Sequence, residues 1–290
     1  MSSLNQKVVN SIEPASQSQG PPDELQSAVG RGLRSDSQQP SPSDFETMKA
    51  ILEPFVHIFN TVTDHVESEA ISRVELQANT QGWPANVPVY TVYSRGDDGL
   101  SQIWARGTAA MPRNAAPKVQ RALQKLYLCD MATYSMLPYI KQAVQKVHGR
   151  ADGIIISNVV PRMLLLYPHM GRVVCEHSVC IIASASGEQY IADFTLEQFG
   201  FDPDMWLMKR SDYHDLVCSG LSGVCIDEEW YADMERLTSD VQNEPLLYNI
   251  CQATRRACGV VGTTSFEKLR GSEQVDWVRD RAIEAVLCYD

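Results

Sequence analysis

Three side-chain types in this chain can do covalent chemistry together: the thiol of Cys129, the imidazole of His177 and the carboxylate of Asp193. Thiol catalysis needs a cysteine held as thiolate, a histidine to take and return the proton, and a third group to orient the imidazole. His177 and Asp193 share one stretch, Val173 to Phe201, which reads as a β-hairpin. Val173–Ala183 is an apolar, β-branched run, Ser184-Ala185-Ser186-Gly187 supplies the turn, and Gln189–Thr195 returns. Side chains alternate faces along a strand, so a histidine and an acid on antiparallel neighbours can meet on one face of the sheet. A turn centred on residue 185 sets His177 directly opposite Asp193. A slip of one residue would turn one of them to the other face.

Cys129 precedes His177 by 48 residues and lies at or near a helical segment ahead of the hairpin. The order Cys129, His177, Asp193 resembles that of the transglutaminase-like and papain-like cysteine enzymes, including arylamine N-acetyltransferases and bacterial glutamine-deamidating toxins. The phrase Glu176-His177-Ser178-Val179, then Gly187-Glu188-Gln189-Tyr190-Ile191-Ala192-Asp193-Phe194-Thr195, is similar to their segment of histidine, apolar strand, turn, aromatic and Asp-x-Thr; Leu196-Glu197-Gln198-Phe199 continues it. The resemblance covers roughly residues 120–201. It implies a thiol that opens a helix packed on an antiparallel sheet, with histidine and acid on adjacent strands. Gln124, five residues before Cys129, is similar in kind to the papain-type oxyanion glutamine, at a different spacing. Asp130 stands where the family carries a small residue or tryptophan, and its charge opposes thiolate formation. The apolar pattern also permits a helix running through Cys129 instead of starting there. Cys225 is a rival nucleophile: it follows Gly220-Leu221-Ser222-Gly223 and precedes an acidic helix, a position at a helix N-terminus that favours a thiolate.

The elements that must position these groups can be read in order. Residues 1–42 are rich in Ser, Gln, Pro and Gly, a composition that cannot bury enough apolar surface to offset its ordering entropy, so they read as a disordered arm. Ser43-Asp44-Phe45-Glu46 has capping-box spacing. Met48, Ile51, Leu52, Phe55, Phe59 and Val62 follow at helical intervals, with Pro54 expected to kink or divide the helix. Val87–Tyr93 and Ser101–Ala105 read as paired strands around the Arg95–Gly99 turn. Asn114–Arg150 is expected to be helical, with an apolar stripe through Cys129, Thr133, Met136, Ile140, Val144 and Val147. Gly153–Pro161 and Met163–Tyr167 read as buried strands, Asp227–Leu237 as an acidic helix, and Leu246–Cys258 and Val275–Cys288 as a helical C-terminal third. The expected fold is therefore α+β: helices packed on an antiparallel β-sheet with a papain/transglutaminase-like core, in a single catalytic domain spanning 43–290.

Composition narrows the function classes. A net charge of −11 and a pI near 5.0, with no Lys/Arg run longer than two residues, argue against nucleic acid as a partner. No apolar stretch at the N-terminus has signal-peptide length, and no window nears the roughly 18 apolar residues of a membrane span. The eight cysteines include no Cys-x-x-Cys pair, so free thiols in a reducing, cytoplasmic setting are expected and no zinc site is. No Gly-x-Ser-x-Gly elbow, phosphate loop, dinucleotide fingerprint or His-Glu-x-x-His motif occurs.

The expected chemistry is acyl transfer without cofactor or metal. Cys129 attacks an amide, ester or thioester carbonyl of a small-molecule or peptide substrate, His177 moves the proton, and Asp193 orients His177. The acceptor is water or an amine. Two other readings remain: a non-catalytic binding module of the same fold, and a cyclase or isomerase that uses the pocket without a thiol nucleophile.

Overall fold

The computed structural model describes residues 43–78, 86–168, 176–219, 223–242 and 244–288. The expected N-terminal arm, the strand start at Val173–Cys175 and the Gly220–Ser222 loop lie outside the described residues.

Helix α1 (Asp44–His65) begins as its capping pattern dictates, with the Ser43 hydroxyl accepting from the Glu46 N–H at 3.2 Å. Its buried face carries Met48, Leu52, Phe55, Ile58, Phe59 and Val62. Pro54 is accommodated inside a single helix of 22 residues instead of dividing it. Strands β1 (Glu67–Glu69), β2 (Ile71–Leu76), β3 (Val89–Ser94) and β4 (Trp104–Arg106) follow. The hairpin expected between 87–93 and 101–105 does not form. β3 pairs antiparallel with β2, and β4 pairs instead with β1. The reason is that both edges of β3 are taken, since β6 (Leu164–Leu166) pairs with it in parallel on the other side.

The segment expected to be one helical stretch from 114 to 150 is two helices, α2 (Pro117–Gln124) and α3 (Cys129–Gln145), joined by residues 125–128. Pro117 occupies the first turn of α2, where its missing N–H does no harm. Tyr127 in the joint has φ +60, which no α-helix can contain, so α3 starts afresh at Cys129. Strand β5 (Arg150–Ile156) begins two residues after the left-handed turn at His148 (φ +59).

The central sheet has five strands in the order β10-β5-β7-β8-β9, all antiparallel: β5, β7 (His177–Ala183), β8 (Gln189–Ala192), β9 (Leu207–Lys209) and β10 (Gly223–Cys225). Between β9 and β10 lies α4 (Arg210–Val217), and α5 (Glu228–Ser239), α6 (Pro245–Cys258), α7 (Thr264–Glu267) and α8 (Ser272–Leu287) form the helical C-terminal third. Alternation along β7 and β8 sends Cys180, Ile182, Tyr190 and Ala192 into the core with α1, α3, α6 and α8. The opposite face, Ile154, Ile156, Val179 and Ile191, is covered by Leu196, Phe199, Phe201, Tyr213 and Val217. The fold is mixed α+β with an antiparallel central sheet; the three-stranded sheet β2-β3-β6 adds a parallel pair that the sequence reading did not anticipate.

The second covering layer depends on one backbone position. A short 3₁₀ turn over residues 196–199 ends at Gly200, whose φ is +79, and a Cβ there would sit 2.7 Å from the Met163 Cβ and 3.1 Å from the Met163 nitrogen. Both the left-handed conformation and the close approach require glycine. Gly200→Ala is expected to destabilise the protein by about 1–3 kcal/mol, measured as a shift in the urea midpoint at constant slope.

Candidate active site

His177 is the first residue of β7 and is fully buried. Its Nε2–H donates to Asp193 Oδ2 at 2.6 Å, and Asp193 is also buried. The two are not directly opposite. Cys180 pairs with Ala192 and Ala183 with Gln189, so the ladder is displaced by two residues from the register that would face 177 with 193. The displacement arises in the turn, where the Ser184 N–H bonds to the Glu188 carbonyl and Gly187 takes φ +89, making the loop longer than a tight turn at 184–187. A shift of two preserves the face, whereas a shift of one would not. The imidazole spans the diagonal gap, which lies within reach of a long side chain. Asp193 itself falls just past β8, its N–H bonded to the Trp206 carbonyl at 2.7 Å.

The carboxylate has further donors. The Tyr213 hydroxyl, from α4, donates to Oδ2 at 2.8 Å, and the Thr195 N–H donates to Oδ1 at 3.0 Å. Burial first, and then the neighbouring Asp193 carboxylate, push the Tyr213 pKa well above the ordinary tyrosine range, so that hydroxyl stays a donor. The Phe199 ring stands edge-on to the imidazole, with centroids 4.8 Å apart.

Cys129 opens α3, with Leu128 as its N-cap residue, so the thiol sits where the first N–H groups of a helix lack intrahelical acceptors. It lies close enough to the His177 ring to contribute to raising the imidazole pKa. Burial alone would lower the histidine pKa. The charge and hydrogen bond of Asp193, with a further contribution from Cys129, outweigh burial and raise it to about 10.

Asp130 does not project its charge at the sulfur unattended. The Ser178 hydroxyl, on the face of β7 opposite to His177, donates a hydrogen bond to it. Consecutive residues of α3 thus engage consecutive residues of β7: Cys129 with His177, Asp130 with Ser178. Asp130 also lies in the first turn of α3, where a negative charge complements the helix dipole.

The structure brings His177 and Asp193 into contact, with Cys129 close enough to raise the His177 pKa, and leaves two other candidates apart. Gln124 is the last residue of α2 and makes no hydrogen bond to His177 or Asp193. The glutamine at the site is Gln198, whose Nε2 lies 3.4 Å from His177 Nδ1. Cys225 is not at a helix N-terminus. It ends the exposed edge strand β10, Asp227 caps α5 instead, and two strand spacings, about 10 Å, separate β10 from β7. Sequence reasoning missed Tyr213, which belongs to a segment without clear periodicity, and gave Ser178 and Gln198 no role although both stand in the quoted phrases. Among the described residues, no group of three or more His, Cys, Asp or Glu is placed to hold a metal ion, and no helix is long and apolar enough to cross a membrane. Comparison with protein-family models, with curated proteins and with solved structures finds no match.

Buried Lys125, four residues before Cys129, has its ammonium against Asn60 and Thr63 of α1 and over the Phe59 ring at 4.6 Å. Burial pushes its pKa down to about 8, against the opposing charges of Glu197 and Asp64. The two buried bases therefore act on stability with opposite signs. His177, raised from 6.5 to about 10, holds in the folded state a proton that the unfolded chain releases, so its contribution is complete below pH 6.5 and lost as pH rises toward 10. Lys125, lowered from 10.5 to about 8, is charged in the unfolded chain between those values, so its contribution rises with pH there. From pH 6.5 to 8 only the first of the two operates. Urea stability of the wild type is expected to fall across that window more steeply than that of His177→Gln; parallel slopes would show that His177 does not carry the extra proton.

Proposed function

We propose that this protein is a thiol-dependent acyl-transfer enzyme with a papain/transglutaminase-like core, in which Cys129 is the nucleophile, His177 the proton carrier and Asp193 its orienting group. One observation carries the reading: an imidazole bonded through Nε2 to a buried carboxylate stands close enough to a cysteine that opens a helix for that cysteine to raise its pKa. The nucleophile in such chemistry is the thiolate, and a neighbouring imidazolium at a helix N-terminus is an arrangement that stabilises it.

The sulfur lone pair forms a bond to the carbonyl carbon of an amide, ester or thioester, and the π pair moves to oxygen. The carbonyl re-forms as the bond to the leaving group breaks, and that group takes the proton from His177. The resulting acyl-thiol is then attacked by water or an amine, which gives its proton to His177 as the sulfur departs. Asp193 keeps the imidazole oriented throughout and offsets its positive charge. Tyr213 and Thr195 hold Asp193 in turn.

Burial of the site supports a second reading, a non-catalytic binding module of this fold, because Cys129 is only 7% exposed and His177 0%. Alkylation separates the two. With iodoacetamide at neutral pH, Cys129 is expected to react faster than the exposed Cys225 despite its burial. His177→Ala is expected to slow that phase about 10²-fold or more, and Cys129→Ala to remove it. Cys180 and Cys218 offer little competition, since burial pushes their thiols up to about 12 and about 11. A Cys129 no faster than Cys225, shown by mapping the modified residue, would overturn the thiol reading and leave the binding module or a chemistry without a thiol nucleophile.

A further inference from the structure

We propose that the free edge of the central sheet, strand β10, is a docking site for a basic, extended peptide segment, which adds to the sheet as a further strand whatever chemistry Cys129 performs.

β10 pairs with β5 and, among the described residues, has no strand on its other side. Backbone polarity shows what that side offers. The Ile226 N–H bonds to the Gly153 carbonyl at 3.1 Å, and 226 faces 153 in the same register that sets Gly223 opposite Ile156. In an antiparallel pair, hydrogen-bonded residues alternate with residues that turn their N–H and C=O groups away. Val224 therefore shares the phase of Ile226 and bonds toward β5, while Gly223 and Cys225 direct their groups outward. All three residues are exposed, Val224 by 61%. An added strand would meet the outward N–H and C=O groups at ladder spacing and cover an apolar side chain. Main-chain bonds of this kind give an extended peptide its affinity for a sheet edge.

Sheet edges are ordinarily protected by charge or by burial, and the other edges among the described residues are. β9, the opposite edge, has Leu207 and Met208 buried and Lys209 paired with Glu188. β6 is buried throughout, and β2 carries Arg73 and Glu75. β1 and β4 carry Glu67, Glu69 and Arg106. Gly223, Val224 and Cys225 have neither charge nor burial.

Charge selects the occupant. The chain leaves β10 through Ile226 into the start of α5, where Asp227, Glu228 and Glu229 follow one another, all exposed. Three carboxylates outweigh the positive end of a helix, which amounts to about half an elementary charge. Asp152, alongside on β5, is paired with Lys141 and adds no net charge. The whole chain carries −11, so a second copy is repelled where a segment rich in Lys or Arg is attracted.

The probe is the labelled peptide Lys-Val-Lys-Val-Lys-Val, with Glu-Val-Glu-Val-Glu-Val as its acidic counterpart, titrated into the full chain and read by fluorescence anisotropy. Only the basic peptide is expected to bind, and its binding is expected to slow amide exchange at Gly223 and Cys225, read by NMR. Cys225→Pro removes one outward N–H and leaves the β5 ladder whole, a use of proline that an edge strand tolerates. It is expected to weaken binding about tenfold, whereas Cys225→Ser, which keeps the N–H, binds as the wild type does. Glu228→Lys is expected to weaken the basic peptide as well. Each variant is checked by thermal melting, and the wild-type exchange result decides the matter if the proline variant does not fold. No binding of the basic peptide, equal binding of both peptides, wild-type affinity in Cys225→Pro, or binding without slowed exchange at Gly223 and Cys225 overturns the proposal. Slowed exchange at the same amides on raising the protein concentration, with no peptide present, assigns the edge to a second copy and overturns it too.

Discussion

The Asp193 carboxylate is buried, and a buried charge must be given hydrogen-bond donors and a counter-charge or be neutralised. Much of the second covering layer of the sheet can be understood as meeting that demand. His177 arrives from β7, Tyr213 from α4 and the Thr195 N–H from the chain just beyond β8. Three separate segments therefore converge on one group, and each would leave a donor or a charge uncompensated if it moved away. Removing one partner of such a pair is costly, about 3–5 kcal/mol, even though the pair as a whole need not add much stability. The arrangement fixes geometry more than it adds free energy.

A second constraint concerns the start of α3. A helix that begins at the site must have its approach fixed, and two ties do this on either side of Cys129. The Gln198 side chain holds the Tyr127 N–H before it, and the Asp130–Ser178 hydrogen bond holds the helix to β7 after it. Asp130 reads in the sequence as an unfavourable neighbour for a thiolate. In the structure its carboxylate is occupied by Ser178, on the opposite face of the strand from His177. Its position in the chain is adjacent to the sulfur, but its bonding is directed to a different face.

The differences between sequence expectation and fold have identifiable causes. The strand pair at 87–93 and 101–105 is local in sequence, yet β3 finds partners at residues 71–76 and 164–166, and β4 pairs with 67–69. Pairing choice is a competition among all exposed edges, and the nearest strand does not always win it. The helix from 114 to 150 reads as continuous because apolar spacing continues across the joint, and no residue there announces the left-handed backbone of Tyr127. Cys225 has the local sequence of a thiol at a helix start, but residues 223–225 are drawn into the sheet by β5.

What the chain determines locally is clear: the α1 cap at Ser43, the strands at 177–183 and 189–192, the helical C-terminal third, and the common face of His177 and Asp193, which follows from alternation along strands and survives a register shift of two. Those features depend on neighbours a few residues away or on parity along one hairpin. The start of α3 at Cys129, the arrival of Tyr213, the pairing of Asp130 with Ser178 and the presence of Gln198 in place of Gln124 depend on contacts between residues 20 to 71 positions apart. No periodicity records such contacts, because they exist only once the helices and the sheet have packed. The sequence could therefore nominate the imidazole–carboxylate pair, while the packing of α3 and α4 against the sheet decided which thiol, which tyrosine and which glutamine stand beside it.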